Sequence, residues 1–334
     1  MKENNFLGNL KRILATREAI LILALVVGGF IVSLYSPVFL SRPNIIAMVL
    51  SISVEGMIAV GMVMLLALGE LDLSVGMTMG FIGVLTGTLL KNGLGDVPTI
   101  LLALGIAVVI GLTNGVLVTK FGLNAFITTL GMSCALEGLM LVMANGRSVT
   151  GLTSTFKHLG QGTLFGVQYP IYILLLIVIV SDILLRNSRR LRQIYYIGSN
   201  AKAAKLNGIN VGKVKIACFC FCALLSGLAG ILITARFGSS SVTVGSSTAM
   251  DVITACIIGG ASLNGGKGTV WAAVLGTLFL AMISTALNLL GVNIYWQNFA
   301  TGVILIVAIF FDAVSERRKG QTVKRVKEDN KARI

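Results

Sequence analysis

The stretch IIAMVLSISVEGMIAVGMVMLLAL, residues 45–68, is apolar along its whole length apart from two serines and Glu55. It exceeds the roughly 20 residues that a helix needs to cross about 30 Å of hydrocarbon. Backbone groups in lipid must form their hydrogen bonds within the protein, so a helix is the expected element. The alternation typical of a lipid-facing β-strand is absent. The segment therefore predicts a transmembrane α-helix.

The rest of the chain repeats this pattern. Of its 334 residues, 55% are apolar and 12% are charged, and the mean hydropathy is +0.91. That composition leaves too little polar surface for a soluble globule of this size. We predict an all-α, polytopic integral membrane protein with about ten transmembrane helices. The predicted spans are 19–36, 45–68, 73–90, 99–119, 124–144, 170–186, 215–236, 250–263, 270–290 and 297–314, of which the eighth is short and glycine-rich.

The basic residues indicate an orientation. With a cytoplasmic N-terminus, 22 of the 27 Lys and Arg residues fall in inner segments, as the positive-inside rule requires. We therefore expect both termini in the cytoplasm, as an N-terminal tail 1–18 and a basic C-terminal tail 315–334. Between them lies a transmembrane domain, 19–314, with a basic cytoplasmic loop at 187–214. Orientation and anionic lipid explain the net charge of +14 without nucleic acid.

Sites for nucleotide, metal or catalysis are not indicated. Gly260–Thr269 resembles a phosphate-binding loop, but it lacks both the first glycine and the magnesium-binding hydroxyl, so a tight turn is the better interpretation. Cys218 and Cys222 could share a helix face, yet the single histidine, His158, is predicted on the opposite side of the membrane. We expect no catalytic residues, no metal site and no cofactor bound by this chain, and a first apolar run that is retained because no cleavage site follows it.

Acidic residues inside the spans are more informative. Glu55 and Glu137 fall near the middle of predicted helices, where a charge costs about 2.5–3.5 kcal/mol unless it faces a polar cavity, pairs or is protonated. In the break Gly69–Gly76, Asp72 or Ser74 could cap the next helix, or the free amides could face a path through the membrane. Three other acids lie near span ends, where water or a cap can satisfy them: Asp182, Asp251 and Asp312.

The basic loop contains a short predicted helix at 201–206, with Ser199 or Asn200 as its N-cap and Asn207-Gly208 as its stop. At ~1.5 Å per residue it is about 9 Å long. An isolated helix of this length is marginal in water and needs a partner surface. Two interpretations remain open: an ordinary basic loop that fixes topology, or a docking helix.

Several segments, in this order and spacing, carry a resemblance. They are Ala59–Met62, Leu71–Gly76, Asn124–Leu130, Asn145–Arg147, Ile194–Gly198, Ala203–Val211, Ile258–Ser262, Gly265–Thr269 and Asn288–Val292. Over residues 20–314 the chain resembles the membrane permease subunit of ribose-type ABC sugar importers, within the branched-chain amino acid/ribose permease superfamily.

The resemblance implies a multi-pass subunit of the bacterial inner membrane that is not itself an enzyme. Its partners would be a cytoplasmic ABC ATPase, an extracytoplasmic sugar-binding protein and a second permease, identical or related. The cargo would be a ribose-like monosaccharide or a related polyol. Residues of the helix that docks on the ATPase would be Gly198, Asn200, Ala203, Ala204, Gly208 and Ile209. Residues near the substrate path would be Glu55, Asp72, Ser74, Asn124 and Glu137.

Among the positions that depart from such permeases, two are acids within the spans. Glu55 stands where a neutral polar residue is frequent, and Glu137 stands where arginine is common. These acids suggest hydrogen bonds to a polyol or to an amine-bearing ligand. The alternative function is an ion-coupled secondary transporter in which Glu55 and Glu137 are proton or cation sites.

Overall fold

Apolar helices with glycine-rich or polar connections make up a computed structural model, which describes residues 17–331 and side chains 18–314. The predicted N-terminal tail lies outside the described residues except for its end, and the backbone of 315–331 continues the last helix. Within the described residues, two short antiparallel strand pairs are formed, Val149–Thr150 with Ser239–Ser240 and Thr163–Leu164 with Val167–Gln168. The elements are α1 Arg17–Tyr35, α2 Arg42–Ala67, α3 Val75–Lys91, α4 Asp96–Thr119, α5 Ala125–Ala144, β1 Val149–Thr150, α6 Ser154–Gln161, β2 Thr163–Leu164, β3 Val167–Gln168, α7 Tyr169–Asn187, α8 Gln193–Ser199, α9 Ala201–Leu206, α10 Val211–Phe237, β4 Ser239–Ser240, α11 Thr248–Ile258, α12 Val270–Leu289 and α13 Ile294–Lys331.

Local sequence explains many of the helix ends. Asn124 begins α5, because its side-chain oxygen accepts hydrogen bonds from the backbone N–H groups of Phe126 at 2.9 Å and Ile127 at 3.3 Å. Asn145 ends the same helix in the left-handed region, at φ 49°. Thr269 caps α12 in the same way as Asn124 caps α5, with a 3.2 Å bond from the Ala272 N–H.

Eight helices in the described part of the chain are long and apolar enough to cross a membrane: α1, α2, α4, α5, α7, α10, α12 and α13. The other two predicted spans contain shorter helices, α3 with 17 residues and α11 with 11 residues. At ~1.5 Å per residue α11 is about 16 Å long, roughly half the hydrocarbon thickness. The predicted span 250–263 is therefore helical only as far as Ile258, and ten full crossings are not confirmed. Non-helical backbone after Ile258 is tolerated at this depth where other parts of the protein cover it.

Helices α2 and α10 form the centre of the molecule. Of an 18-residue apolar stretch in each helix, 83% of the residues are buried in α2, against 17% in α5 and 6% in α13. The two central helices approach closely at Gly61, where an added Cβ would lie 2.6 Å from the Cα of Cys222. Small residues that let backbones approach in this way are the usual means of packing membrane helices. The outer helices present apolar side chains to their surroundings.

Candidate functional site

The basic loop contains two short helices that meet at Asn200. The Asn200 side chain accepts a 3.0 Å hydrogen bond from the Ala203 N–H and so caps α9. Gly208, at φ +78°, follows the end of that helix. The helix predicted at 201–206, with Asn200 as its cap, is confirmed in α9.

Helix α8 was not predicted. The sequence feature that could have predicted it is the pair Ile194 and Ile197, three residues apart on one helix face, and both side chains are buried. Ala204 of α9 is also buried, whereas Tyr196 is 58% exposed and Leu206 is 89% exposed. The loop therefore has an inner face that packs on the spans and an outer face with large apolar side chains uncovered.

The inner face of α8 packs against the chain around two glycine-rich breaks, Gly69–Gly76 and Gly260–Thr269. A Cβ on Gly198 would overlap the carbonyl oxygen of Ala67, at the end of α2. The Gly266 N–H donates to that same carbonyl at 2.8 Å, and the Tyr195 hydroxyl donates to the carbonyl of Gly268 at 2.9 Å. Burial raises the pKa of Tyr195 above its ordinary value, so the phenol stays protonated as a donor. We call this contact of Gly198, Ala67 and Gly266 the glycine junction.

The first break is held by a buried polar cluster. Asp72 is fully buried, and its Oδ1 accepts hydrogen bonds from the Ser74 N–H at 2.8 Å and the Ser74 hydroxyl at 2.6 Å. Asn114 of α4 donates to the Ser74 hydroxyl at 3.0 Å and reaches Asp72 at 3.4 Å. From α5, Thr129 accepts from the Leu73 N–H at 3.0 Å. Asp72 and Ser74 thus tie the start of α3 to α4, and the Leu73 N–H ties it to α5.

Asn114 and Thr129 were missed as functional candidates. Asn114 is a fully buried amide in the second half of an apolar helix, and that position was the available signal. Thr129 carried no signal, since a threonine can bond within its own helix, as this one does to the Ala125 carbonyl at 2.8 Å. Their partners are 40 or more residues away, so only the tertiary structure identifies them.

Glu55 lines a cavity of about 410 Å³ between α2, α11, α12 and α13. Asp251, in the first turn of α11, lines the same cavity. Asp251 lies near the end of its span, as predicted, and it also lines the cavity that Glu55 faces. Glu137 and Asn124 are not part of it. Within the described residues, the cavity wall holds no Lys, Arg or His.

Glu137 lies on an exposed face of α5, near the middle of the helix. No hydrogen bond or ion pair joins its carboxylate to another of the described residues. Gly131, Cys134 and Gly138 are exposed near it, and added Cβ atoms on the two glycines would meet nothing within 4 Å. Among the described residues, this face offers no polar partner of the kind that a carboxylate inside a membrane requires. Asn124 lies at the start of the same helix.

The two remaining span-end acids, Asp182 and Asp312, each have a side-chain partner. Asp182 pairs with Arg186 at 2.8 Å, and Asp312 accepts a 3.2 Å hydrogen bond from the Ser262 hydroxyl. In the described part of the chain, no three His, Cys, Asp or Glu side chains group to form a metal site.

Comparison with known proteins identifies the family. Residues 44–309 match the family described as branched-chain amino acid transport system / permease component. The chain belongs to this permease family. It is 36% identical to the ribose import permease protein RbsC of Escherichia coli K12 over 87% of this chain and 92% of that protein. Identity to RbsC of Bacillus subtilis 168 is 35%, over 84% and 88% of the two chains.

A further relative is the L-arabinose ABC transporter permease protein AraH of Azospirillum brasilense, 35% identical over 84% of this chain and 83% of that one. No solved structure matches. The resemblance drawn from the sequence is thereby confirmed, as is a multi-pass protein of the inner membrane. The relatives are transport permease subunits, which does not favour the ion-coupled alternative.

Proposed function

We propose that this chain forms the transmembrane path of an ATP-driven importer for a ribose-like monosaccharide or related polyol. The observation that carries the proposal is its similarity, over most of its length, to permeases named for ribose and arabinose. A partner ABC ATPase would supply the energy, and an extracytoplasmic binding protein would deliver the sugar. The proposed topology has both termini in the cytoplasm and counts α3 and α11 among ten membrane-inserted helices.

We assign the ATPase contact to the loop of α8 and α9. Its outer face exposes Tyr196 and Leu206, beside a hollow of about 410 Å³. Large apolar side chains on a basic, water-facing loop are what a partner surface would cover. The hollow's lining includes the predicted residues Asn200, Ala203, Ala204 and Ile209, while Gly198 sits on the inner face against the spans and Gly208 ends the helix.

We assign the contact with a second permease copy to α5. An isolated carboxylate facing lipid is costly, and Gly131 and Gly138 leave room for another helix to approach closely. A second copy would cover this face, and water in a path between the two copies would solvate Glu137. Asn124 would lie at the cytoplasmic end of that path. Asp72 and Ser74 would act indirectly, by fixing the start of α3 against α4.

ATP-driven uptake tests this function. The chain is reconstituted in liposomes with a candidate ABC ATPase and a candidate sugar-binding protein from the same organism, and uptake of labelled ribose, arabinose and xylose is followed. We expect ATP-dependent, ion-gradient-independent uptake of at least one sugar. Uptake by the chain alone, driven by an ion gradient, would overturn the proposal.

The docking assignment is tested in the same system with Leu206→Asp. We expect ATPase binding to fall by at least tenfold, because a carboxylate would be desolvated in an apolar contact. Lys202→Ala, also exposed on α9, is the matched control for a general change in the loop. Ala204 is less suitable, since it is buried and a charge there would disturb the packing of the loop itself. Unchanged ATPase binding by the Leu206 variant would remove the loop from the interface.

A further inference from the structure

The cavity between α2, α11, α12 and α13 is a second polar site, separate from the exposed face of α5. With the N-terminus in the cytoplasm, the start of α2, the end of α12 and the start of α13 face the outside. Asn44, Asn288 and Gln297 come from those three ends and line the cavity. The cavity therefore lies in the outer half of the membrane, where a ligand released outside the cell could reach it.

The charged side chains that line this cavity are all acidic. Glu55 and Asp251 both line the cavity, and no basic side chain of the described residues does. Glu55 has no hydrogen bond or ion pair with another of the described residues. Carboxylates buried among membrane helices normally pair with a cation, carry a proton or face water. A positively charged ligand between these two acids would relieve their mutual repulsion as well as the isolation of Glu55.

The size and lining of the cavity indicate an organic ligand. A volume of about 410 Å³ falls within the range of roughly 300–1,000 Å³ typical of small-molecule sites and is far larger than a bare metal ion needs. No three acids, histidines or cysteines converge in the described part of the chain to bind a metal. Instead, amides and hydroxyls from α2, α12 and α13 surround the two acids, Ser51 and Thr301 among them. Such groups match a ligand with many hydroxyls.

We propose that this cavity binds a polyhydroxylated organic cation, an amino sugar or amino polyol, with its ammonium group between Glu55 and Asp251. The amides and hydroxyls of the wall hydrogen-bond the ligand's hydroxyls. This assignment rests on the proposed function and adds, to the neutral sugars expected there, a site for sugars that carry a positive charge.

The test is equilibrium binding to the purified full chain at pH 7, in nanodiscs of phosphatidylglycerol so that no lipid amine competes. Glucosamine is compared with glucose, which has a hydroxyl in place of the ammonium. We expect saturable glucosamine binding that is about tenfold or more tighter than glucose binding. Glucose lacks the ammonium group, and removing one charged partner of a buried pair has an effect of at least this size. Glu55→Gln and Asp251→Asn should each weaken glucosamine binding by about tenfold or more. Asp96→Asn, outside the cavity, should bind like the wild type.

Equal binding of glucose and glucosamine would overturn the proposal, as would absence of glucosamine binding to the folded wild-type chain. Saturable sodium binding that Glu55→Gln abolishes, with no effect of glucosamine, would replace it with an inorganic cation site. The wild-type comparison of the two sugars needs no variant, so misfolding of a variant cannot mask the result. ATP-driven uptake of a neutral sugar by a chain that fails to bind glucosamine would leave the proposed function intact and refute this inference alone.

Discussion

At the scale of single residues, Asp72 shows how a buried acid can be structural in a transport protein. Its carboxylate accepts from Ser74 and Asn114, and these bonds set the start of α3. We expect Asp72→Ala to lower the free energy of unfolding by about 1–3 kcal/mol for each donor that loses its acceptor. Asp72→Asn should be milder, because its amide oxygen can still accept from Ser74.

Thermal unfolding in detergent, followed by tryptophan fluorescence, measures this change. Asp182→Asn is the matched control, because that acid pairs with the largely exposed Arg186 and such surface pairs contribute about 0–1 kcal/mol. Equal melting temperatures for Asp72→Ala and Asp182→Asn would show that the buried cluster does not stabilise the fold.

At the scale of elements, the glycine junction connects the loop of α8 and α9, the proposed ATPase contact, to both glycine-rich breaks. We expect Gly198→Ala to retain ATPase binding, since Tyr196 and Leu206 are on the other face, but to lose most ATP-driven uptake. The added methyl group would overlap the Ala67 carbonyl and push α8 away from α2. Motion of the loop would then no longer reach the spans.

Uptake and ATPase binding are measured side by side on chains that elute as folded by gel filtration. Gly212→Ala is the control: it also replaces a glycine near the loop, but the nearest atom to its Cβ would lie 3.8 Å away, an ordinary contact. Wild-type uptake by Gly198→Ala would show that the junction is not needed for coupling.

At the scale of the whole molecule, the uncovered face of α5 predicts how two copies meet. Cys134 lies on that face and is exposed, whereas Cys218, Cys222 and Cys256 are buried. We expect mild oxidation in membranes to link two copies through Cys134, with a dimer band that Cys134→Ser abolishes. Gly131→Cys or Gly138→Cys in the Cys134→Ser background should restore the band.

Val26→Cys in the same Cys134→Ser background is the control, because Val26 is also exposed but lies on α1. Efficient linking through position 26 and none through positions 131, 134 or 138 would place the interface on α1 and leave Glu137 without the proposed partner surface.

The sequence alone determined what depends on composition and on neighbours along the chain. Length and hydropathy predicted the membrane helices, and Asn200 and Gly208 predicted the bounds of α9, because caps and turns involve residues only a few positions apart. Similarity to the permease family was also readable from the order of short motifs. The bounds of α11 were not readable from the sequence, because an apolar run does not show at which residue the helix ends and a glycine-rich loop begins.

Only the tertiary structure brought Asp251 to the cavity of Glu55, Asn114 to Asp72 and Gly198 to Ala67. The members of each pair are separated by tens to hundreds of residues and come from different parts of the fold. Such contacts depend on which faces of the helices pack together, and in lipid that choice follows from close fit and polar contacts, not from hydrophobicity. An apolar helix in a membrane is hydrophobic all round, so its sequence does not show which side faces the protein.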